Sequence, residues 1–478
     1  MTLPTRAGWS SPPLNHESVA RRPATAGRDG AAADDGEGQH LPPLSDALEA
    51  TTGAPAVSRT PELTSLHAGR AAPPAKRSPT LQAAAPAAAD MRIALVHDWF
   101  PRYRGGERVV ESMLGLFPEA DVFTLFDFLT QAERDDHFAG KKFTVSALNS
   151  WPLARRSYRH LFFLCPFFIE QFNVTEHDGV ISSSAAFARG VITRPDQPHL
   201  CYVHSPIRYA WDQQFEYLDQ AGLRLGPKGL LFRWMLHRIR IWDVRTAFGP
   251  DLMAANSTYV RERMRRIYGR DALVIYPPVE VDDMPFCEHK DDYYVVASFL
   301  VPYKRIDLIV RAFNAMPNRR LLVVGDGQQA RELKAMAGPN IKFTGYLSRT
   351  AFLDTIAQAK AFIFAACEDF GIVMAEAQVC GTPLIAFGRG GARDIVRTPE
   401  DSAAPTGLLF DRQTVEALTD AVEAFEARGG RISPEACREN AMRFSEARFH
   451  REFADAWGKT VEVNRRGFGP GNTDIRIG

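Results

Sequence analysis

Glu368 and Glu376 stand eight positions apart in the stretch CEDFGIVMAEAQVCGTPLIAFGRGGARDIV, and Gly381, Gly388, Gly390 and Gly391 follow them. AKAFIFAAC reads as a buried strand, which puts Glu368 on the loop at its carboxyl end. GIVMAEAQVCG reads as a helix with Glu376 in its first turns and Gly381 as its terminator. An ionised carboxylate accepts two hydrogen bonds from neighbouring hydroxyls. A helix start offers unpaired N–H groups and the positive end of a dipole. Gly388, Gly390 and Gly391 open a further helix, ARDIV, toward the same cleft. Two glutamates alone at this spacing are ordinarily solvated acids. Between a buried strand and a helix, with a glycine-lined helix start one strand later, the arrangement is much more specific and marks a candidate phosphate-binding site.

Two other stretches offer phosphate sites. In HDWFPRYRGGERVVESML a strand ends, Gly105 and Gly106 permit a tight turn, and a helix is expected to begin near Glu107. In VVGDGQQARELKAM, Gly325, Gly327 and Ala330 satisfy the loose dinucleotide pattern. That pattern needs an acid at the end of the next strand to hold a ribose, and IKFTGYLS ends without one, which weighs against a nicotinamide enzyme.

The elements that must position these residues begin at Met91. From there, short β-branched runs alternate with helical stretches: RIALVHDW, DGVISSS, HLCYVHS and DLMAANS, then YYVVASF, RLLVVGDG, IKFTGY, AFIFAAC and TPLIAFG. Apolar strands each followed by a helix mean parallel sheets covered on both faces. VIYPPVEVDDM reads as a linker between the two sets. The expected architecture is α/β, with two doubly wound Rossmann-like domains at residues 91–278 and 285–445 and a ligand cleft at the strand carboxyl ends. A helix at 446–461 is free to pack on either domain, and 462–478 reads as a flexible tail.

Composition sets the boundaries. The 478 residues are 45% hydrophobic, with 57 basic side chains against 57 acidic ones, so global charge gives no case for nucleic-acid binding. Six cysteines lie scattered without a C-x-x-C pair, which fits a reducing, cytoplasmic compartment. No Asp-x-Asp pair occurs, so no metal-bridged diphosphate and no cofactor is expected. Residues 1–90 are rich in alanine, proline, glycine and serine and read as disordered, with MRIALVHDWF as a candidate start of translation at Met91. The longest apolar run, LFFLCPFFI, is too short to span a bilayer.

Taken in order, IALVHDWFPRYRGGERVV, CYVHSPIRYAWD, ANSTYVRERM, YPPV, LVPYKRIDLIVRAF, GDG and EDFGIVMAEAQVCGTPLIA resemble the retaining glycosyltransferases of family 4, which have the GT-B fold. HSPIRYAWD and LVPYKRID are similar to bacterial mannosyltransferase-like members that build polysaccharides. The resemblance implies a nucleotide-sugar donor and a glycan or lipid-linked acceptor. It implies that Glu376 holds the donor ribose, that Glu368 faces the donor sugar, and that the backbone at Phe370 and Gly371 assists. It makes Lys304 the diphosphate cation, places His204 beside the reacting sugar, and gives Gly105 and Gly106 the loop that lets the donor or acceptor approach. Two departures stand out: Phe299 occupies a position where the family has an arginine, leaving Arg305 or Arg104 to supply that charge, and Ala185 replaces a histidine after SSS.

Taken without the resemblance, Lys304 reads as a solvated lysine and His204 as a hydrogen-bonded core histidine. NSWPLARRSYRHLFFLCPFF and GLRLGPKGLLFRWMLHRIRIWDVR mix Arg155, Arg156, Arg159, Arg233, Arg238 and Arg240 with aromatic residues. Such stretches either lie in a membrane interface near anionic lipid or are ordinary helices with a solvated basic face. A glycoside hydrolase built on the two glutamates would leave Lys304 and the glycine-lined helix starts without a role. A sugar-nucleotide-binding subunit with decayed catalysis is the non-enzymatic alternative, and Phe299 lends it weight.

Overall fold

The computed structural model describes residues 91–468 apart from Leu153, Gly429 and Gly430. The extension at 1–90, with its candidate start at Met91, and residues 469–478 lie outside the described residues.

Seven parallel strands form the first sheet: β1 (Ile93–Phe100), β2 (Asp121–Asp127), β3 (Phe143–Val145), β4 (Gly179–Ser184), β5 (His199–Val203), β6 (Leu252–Ala255) and β7 (Leu273–Val274), in the order β3-β2-β1-β4-β5-β6-β7. Six more form the second: β8 (Asp291–Ala297), β9 (Leu321–Val324), β10 (Ile341–Gly345), β11 (Ala359–Phe364), β12 (Leu384–Phe387) and β13 (Gly407–Phe410), in the order β10-β9-β8-β11-β12-β13. Successive side chains of a strand enter opposite faces. Ala94 and Val96 of β1 therefore join one core and Ile93 and Leu95 another, and β8 divides Val295 and Ala297 from Tyr294 and Val296 in the same way. Both faces of both sheets are thus covered. Strand order reverses between β1 and β4 and again between β8 and β11. The loops part at such switch points, which opens a crevice at the strand carboxyl ends.

The chain crosses between domains twice, and the two crossings touch: the Val279 amide donates to the Phe444 carbonyl at 2.9 Å. After the second crossing the helix Glu446–Phe468 packs on the N-terminal domain. Phe449, Phe453 and Trp457 are fully buried there, each contributing about 1.5–3 kcal/mol by leaving water. Helical structure continues past residue 461 to Phe468, where a flexible tail was expected. The apolar face continues through Val461, and Asn464 docks on the Pro195 carbonyl at 3.0 Å.

Of the two basic and aromatic stretches, the first is no continuous helix. Pro152 and Pro166 accompany its division into short helical pieces at Ala147–Ser150, Ala154–Ser157, Tyr158–Leu161 and Cys165–Ile169. The second is one helix, Gly226–Thr246, whose Phe232, Leu236 and Ile239 are buried while Leu230, Leu231, Trp234 and Ile241 face out. Among the described residues, no helix is long and apolar enough to cross a membrane.

Candidate functional site

The two switch points face each other across a cavity of about 730 Å³. From the N-terminal side it is lined by His97, Asp98, Arg104 to Arg108, His204 and Arg208, and from the C-terminal side by Phe299, Lys304, Arg349, Glu368 to Val373 and Glu376.

On the N-terminal side, His97 and Asp98 stand in the second half of β1. Asp98 is buried and accepts the amide N–H groups of Ala185, Ala186, Phe187 and Ala188, at 2.5, 2.9, 2.6 and 2.7 Å. One carboxylate therefore fixes the loop after β4 on which Ala185 sits. Ser183 links two imidazoles: its hydroxyl is 3.1 Å from His97 Nδ1 and 2.8 Å from His204 Nε2. Burial, with His97 adding to it against the pull of Asp369, lowers His204 to about 3, so the ring is neutral at physiological pH. It can exchange hydrogen bonds with a sugar hydroxyl but supplies no positive charge.

Gly105 and Gly106 lie inside the first turn of the helix Gly105–Leu116 rather than in a turn before it. Gly105 abuts the opposite domain, since a Cβ there would meet Ile372 Cδ1 at 3.0 Å. Glu107, buried in the same turn, is pushed up to about 7 by burial.

On the C-terminal side, Gly371 adopts φ 88°, which suits glycine, and caps the helix Ile372–Val379. Glu376 lies one turn in and is almost completely buried. Its Oε1 accepts from Arg108 Nη1 at 2.9 Å and from Arg349 Nη2 at 2.7 Å. Lys304 contacts Glu368 directly. Burial and the neighbouring Arg208 pull Lys304 down to about 7, against Asp369. Asp369 takes Arg208 and Arg263 from the opposite domain, both at 2.9 Å. Burial alone would raise this carboxyl, but the two guanidinium groups hold it below the ordinary carboxylate range. Phe370 packs its ring on Tyr276 and Phe444, leaving only its backbone for a ligand.

Arg305 does not line the cavity. Its backbone is left-handed at φ 55°, and its guanidinium turns to Asp307 and Gln413, at 3.4 and 3.3 Å. The glycine cluster after β12 also has another role than an opening to the cleft: Gly390 and Gly391 support the Glu368 loop from behind. The Gly391 amide donates to the Glu368 carbonyl at 2.9 Å, and a Cβ on Gly390 would stand 2.1 Å from that carbonyl oxygen.

The cleft thus brings together His204, Lys304, Glu368, Glu376 and the glycines at 105, 106 and 371. It adds Asp98, Arg108, Arg208, Arg349 and Asp369, which motif reading left unassigned. Arg208 and Asp369 stand inside quoted motifs, in SPIRYAWD and EDFG, where an arginine beside aromatics and a second acid beside Glu368 were available signals. Arg349 has no comparable local signal.

Residues 285–444 match the family model described as glycosyl transferases group 1. A GDP-mannose-dependent monoacylated alpha-(1-6)-phosphatidylinositol monomannoside mannosyltransferase of Corynebacterium glutamicum is 35% identical over 138 residues, 26% of this chain and 35% of that one. A GDP-mannose-dependent alpha-(1-6)-phosphatidylinositol monomannoside mannosyltransferase of Mycobacterium tuberculosis is 29% identical, over 37% of this chain and 53% of that one. The chain therefore spans about a third to a half of the length of these relatives. In fold it is similar to sucrose-phosphate synthase from Thermosynechococcus elongatus, with a TM-score of 0.60 at 17% identity, over 78% of this chain and 100% of that one. The C-terminal domain thus matches the group 1 glycosyl transferases over residues 285–444, and the two facing parallel-sheet domains have the GT-B fold.

Proposed function

We propose that the protein is a retaining glycosyltransferase that moves mannose from a nucleoside diphosphate donor to a lipid-linked glycan at a membrane surface. The observation that carries the reading is the opposition, across one cavity, of Lys304, Glu368 and Glu376 on the C-terminal domain and Gly105, Gly106 and His204 on the N-terminal one. Glu376 would take the ribose hydroxyls on its free oxygen, and Glu368 the sugar hydroxyls. Lys304 would meet charge growing on the departing diphosphate. The sugar–oxygen bond breaks with its electron pair going to the leaving phosphate oxygen. That oxygen accepts the proton of the acceptor hydroxyl as the new bond forms on the same face. Closure of the cleft excludes water from this exchange. Mannose and a guanosine donor are favoured because two relatives are named as GDP-mannose-dependent.

A hydrolase reading finds little support, because both glutamates already face cations: Glu368 meets Lys304, and Glu376 meets Arg108 and Arg349. The membrane-facing part rests on the exposed Leu230, Leu231, Trp234 and Ile241 of one helix, interleaved with exposed Lys228, Arg238 and Arg245.

The test is calorimetric titration with GDP, UDP, ADP and NAD, repeated on Glu376→Ala. Binding of one nucleoside diphosphate that the variant loses is the expected result. Binding of NAD alone would overturn the reading.

A further inference from the structure

The cations facing the cleft differ in whether an acid already holds them. Lys304 contacts Glu368, Arg208 and Arg263 hold Asp369, and Arg108 and Arg349 hold Glu376. Arg104 forms no ion pair among the described residues, and its Nη1 is buried without a hydrogen-bond partner. Its guanidinium lies over the ring of Phe299, 4.6 Å from the centroid. Phe299 belongs to the opposite domain, on the loop after β8 that leads to Lys304. The charges of both Arg208 and Arg104 reach Tyr303, which precedes Lys304. A part-buried guanidinium with a buried, unsatisfied donor is costly, and an aromatic face recovers only part of that cost. An anion in the cavity would recover the rest.

Building on the transferase reading, we infer that Arg104 is a second diphosphate-binding cation, supplied by the N-terminal domain and steadied by Phe299 across the cleft. The donor diphosphate then lies between Lys304 of one domain and Arg104 of the other. The fork of a guanidinium suits two phosphate oxygens at once, whereas the Lys304 ammonium acts as a point charge. The leaving group meets both cations only when the domains are together, so charge stabilisation and exclusion of water arrive in the same movement.

The experiment compares GDP with GMP and UDP with UMP by calorimetry on the full chain, wild type, Arg104→Gln and Arg104→Lys. A cation on the diphosphate predicts that Arg104→Gln loses about tenfold in diphosphate affinity while monophosphate affinity changes far less. Arg104→Lys, which keeps the charge and guards against a folding defect, should fall between. Adding Phe299→Arg to Arg104→Gln should restore diphosphate preference. Equal losses for diphosphate and monophosphate, or no loss in Arg104→Gln, would overturn the assignment. Failure of the wild type to bind any nucleoside diphosphate would instead overturn the transferase reading beneath it.

Discussion

The Arg108 guanidinium crosses the cleft to Glu376, with Nη1 at 2.9 Å from Oε1. Arg349 reaches the same oxygen at 2.7 Å from within the C-terminal domain. Burial alone would lower the Arg108 pKa, but Glu376 outweighs it and raises it. A ligand whose hydroxyls bind Glu376 must therefore use the other oxygen or displace Arg108. Removing Arg108 should loosen the empty protein. Small-angle scattering of Arg108→Ala is expected to show a larger radius of gyration without nucleotide and a wild-type radius with it. An unchanged radius in the empty variant would show that the remaining contacts between the domains, those of Asp369 with Arg208 and Arg263 and of Asp394 with Thr258, suffice to hold the cleft.

Lys304 ties binding to pH. Its folded value of about 7 lies below the ordinary 10.5, so the ammonium is present below pH 7 and lost above it. Affinity for GDP relative to Lys304→Met should fall as pH rises through 7. The variant should also lose about a hundredfold or more in turnover, the usual cost of one preorganised charge at a developing anion. A wild-type to variant affinity ratio that stays constant from pH 6 to 9 would contradict this role.

Gly390→Ala tests the loop support. The residue sits at φ 72°, and the added Cβ would stand 2.1 Å from the Glu368 carbonyl oxygen. The left-handed backbone alone costs a non-glycine residue about 1–2 kcal/mol, and relief of the contact must move Glu368. Thermal unfolding should show the loss of stability, and donor affinity should fall with it. Gly458→Ala, where nothing lies within 4 Å of the added Cβ, should show neither loss.

Two buried histidines should make the fold sensitive to acid. His199 and His204 are both lowered to about 3 from 6.5, chiefly by burial. Between these values the unfolded chain binds protons that the folded chain does not, so stability is complete above about 6.5 and declines as pH falls toward 3. His199 stands outside the cleft, hydrogen-bonded to Ser182 at 2.8 Å. The pH dependence of the unfolding midpoint should be shallower in His199→Gln than in the wild type over that window.

The outward ridge of the helix Gly226–Thr246 should hold the protein to anionic vesicles at low salt. Trp234→Ser and Arg238→Gln together are expected to reduce co-sedimentation while leaving GDP affinity unchanged, since neither side chain lines the cleft. Binding that survives both substitutions would place the membrane contact elsewhere.

The alternation of apolar strands and helices was enough to anticipate two doubly wound domains, because burial on both faces leaves a local imprint on every strand. Glu368 and Glu376 were legible for a similar reason: they stand after a strand end and in the first turns of a helix, where local pattern and position coincide, whereas Lys304, which alone reads as a solvated lysine, was singled out only by the family resemblance. What pairs with them was not. Arg108 and Glu376 are separated by 268 positions, and nothing local in either segment announces the other. Arg305 and Arg104 looked equivalent as replacement cations until the left-handed turn at Arg305 sent one guanidinium out of the cleft. The glycines at 390 and 391 looked like ligand-binding residues, although their need is to let two loops touch.

The return of the last helix to the first domain has a consequence for synthesis on the ribosome. Phe449, Phe453 and Trp457 fill the same core as Ile93, Leu95 and Val110, so the first domain to be translated stays unfinished until almost the whole chain has emerged. The second domain, whose sheet is complete by Phe410, can close its core earlier. A nascent chain halted before residue 446 would expose a first domain with one apolar flank bare, and this is the stage at which it would most need a chaperone.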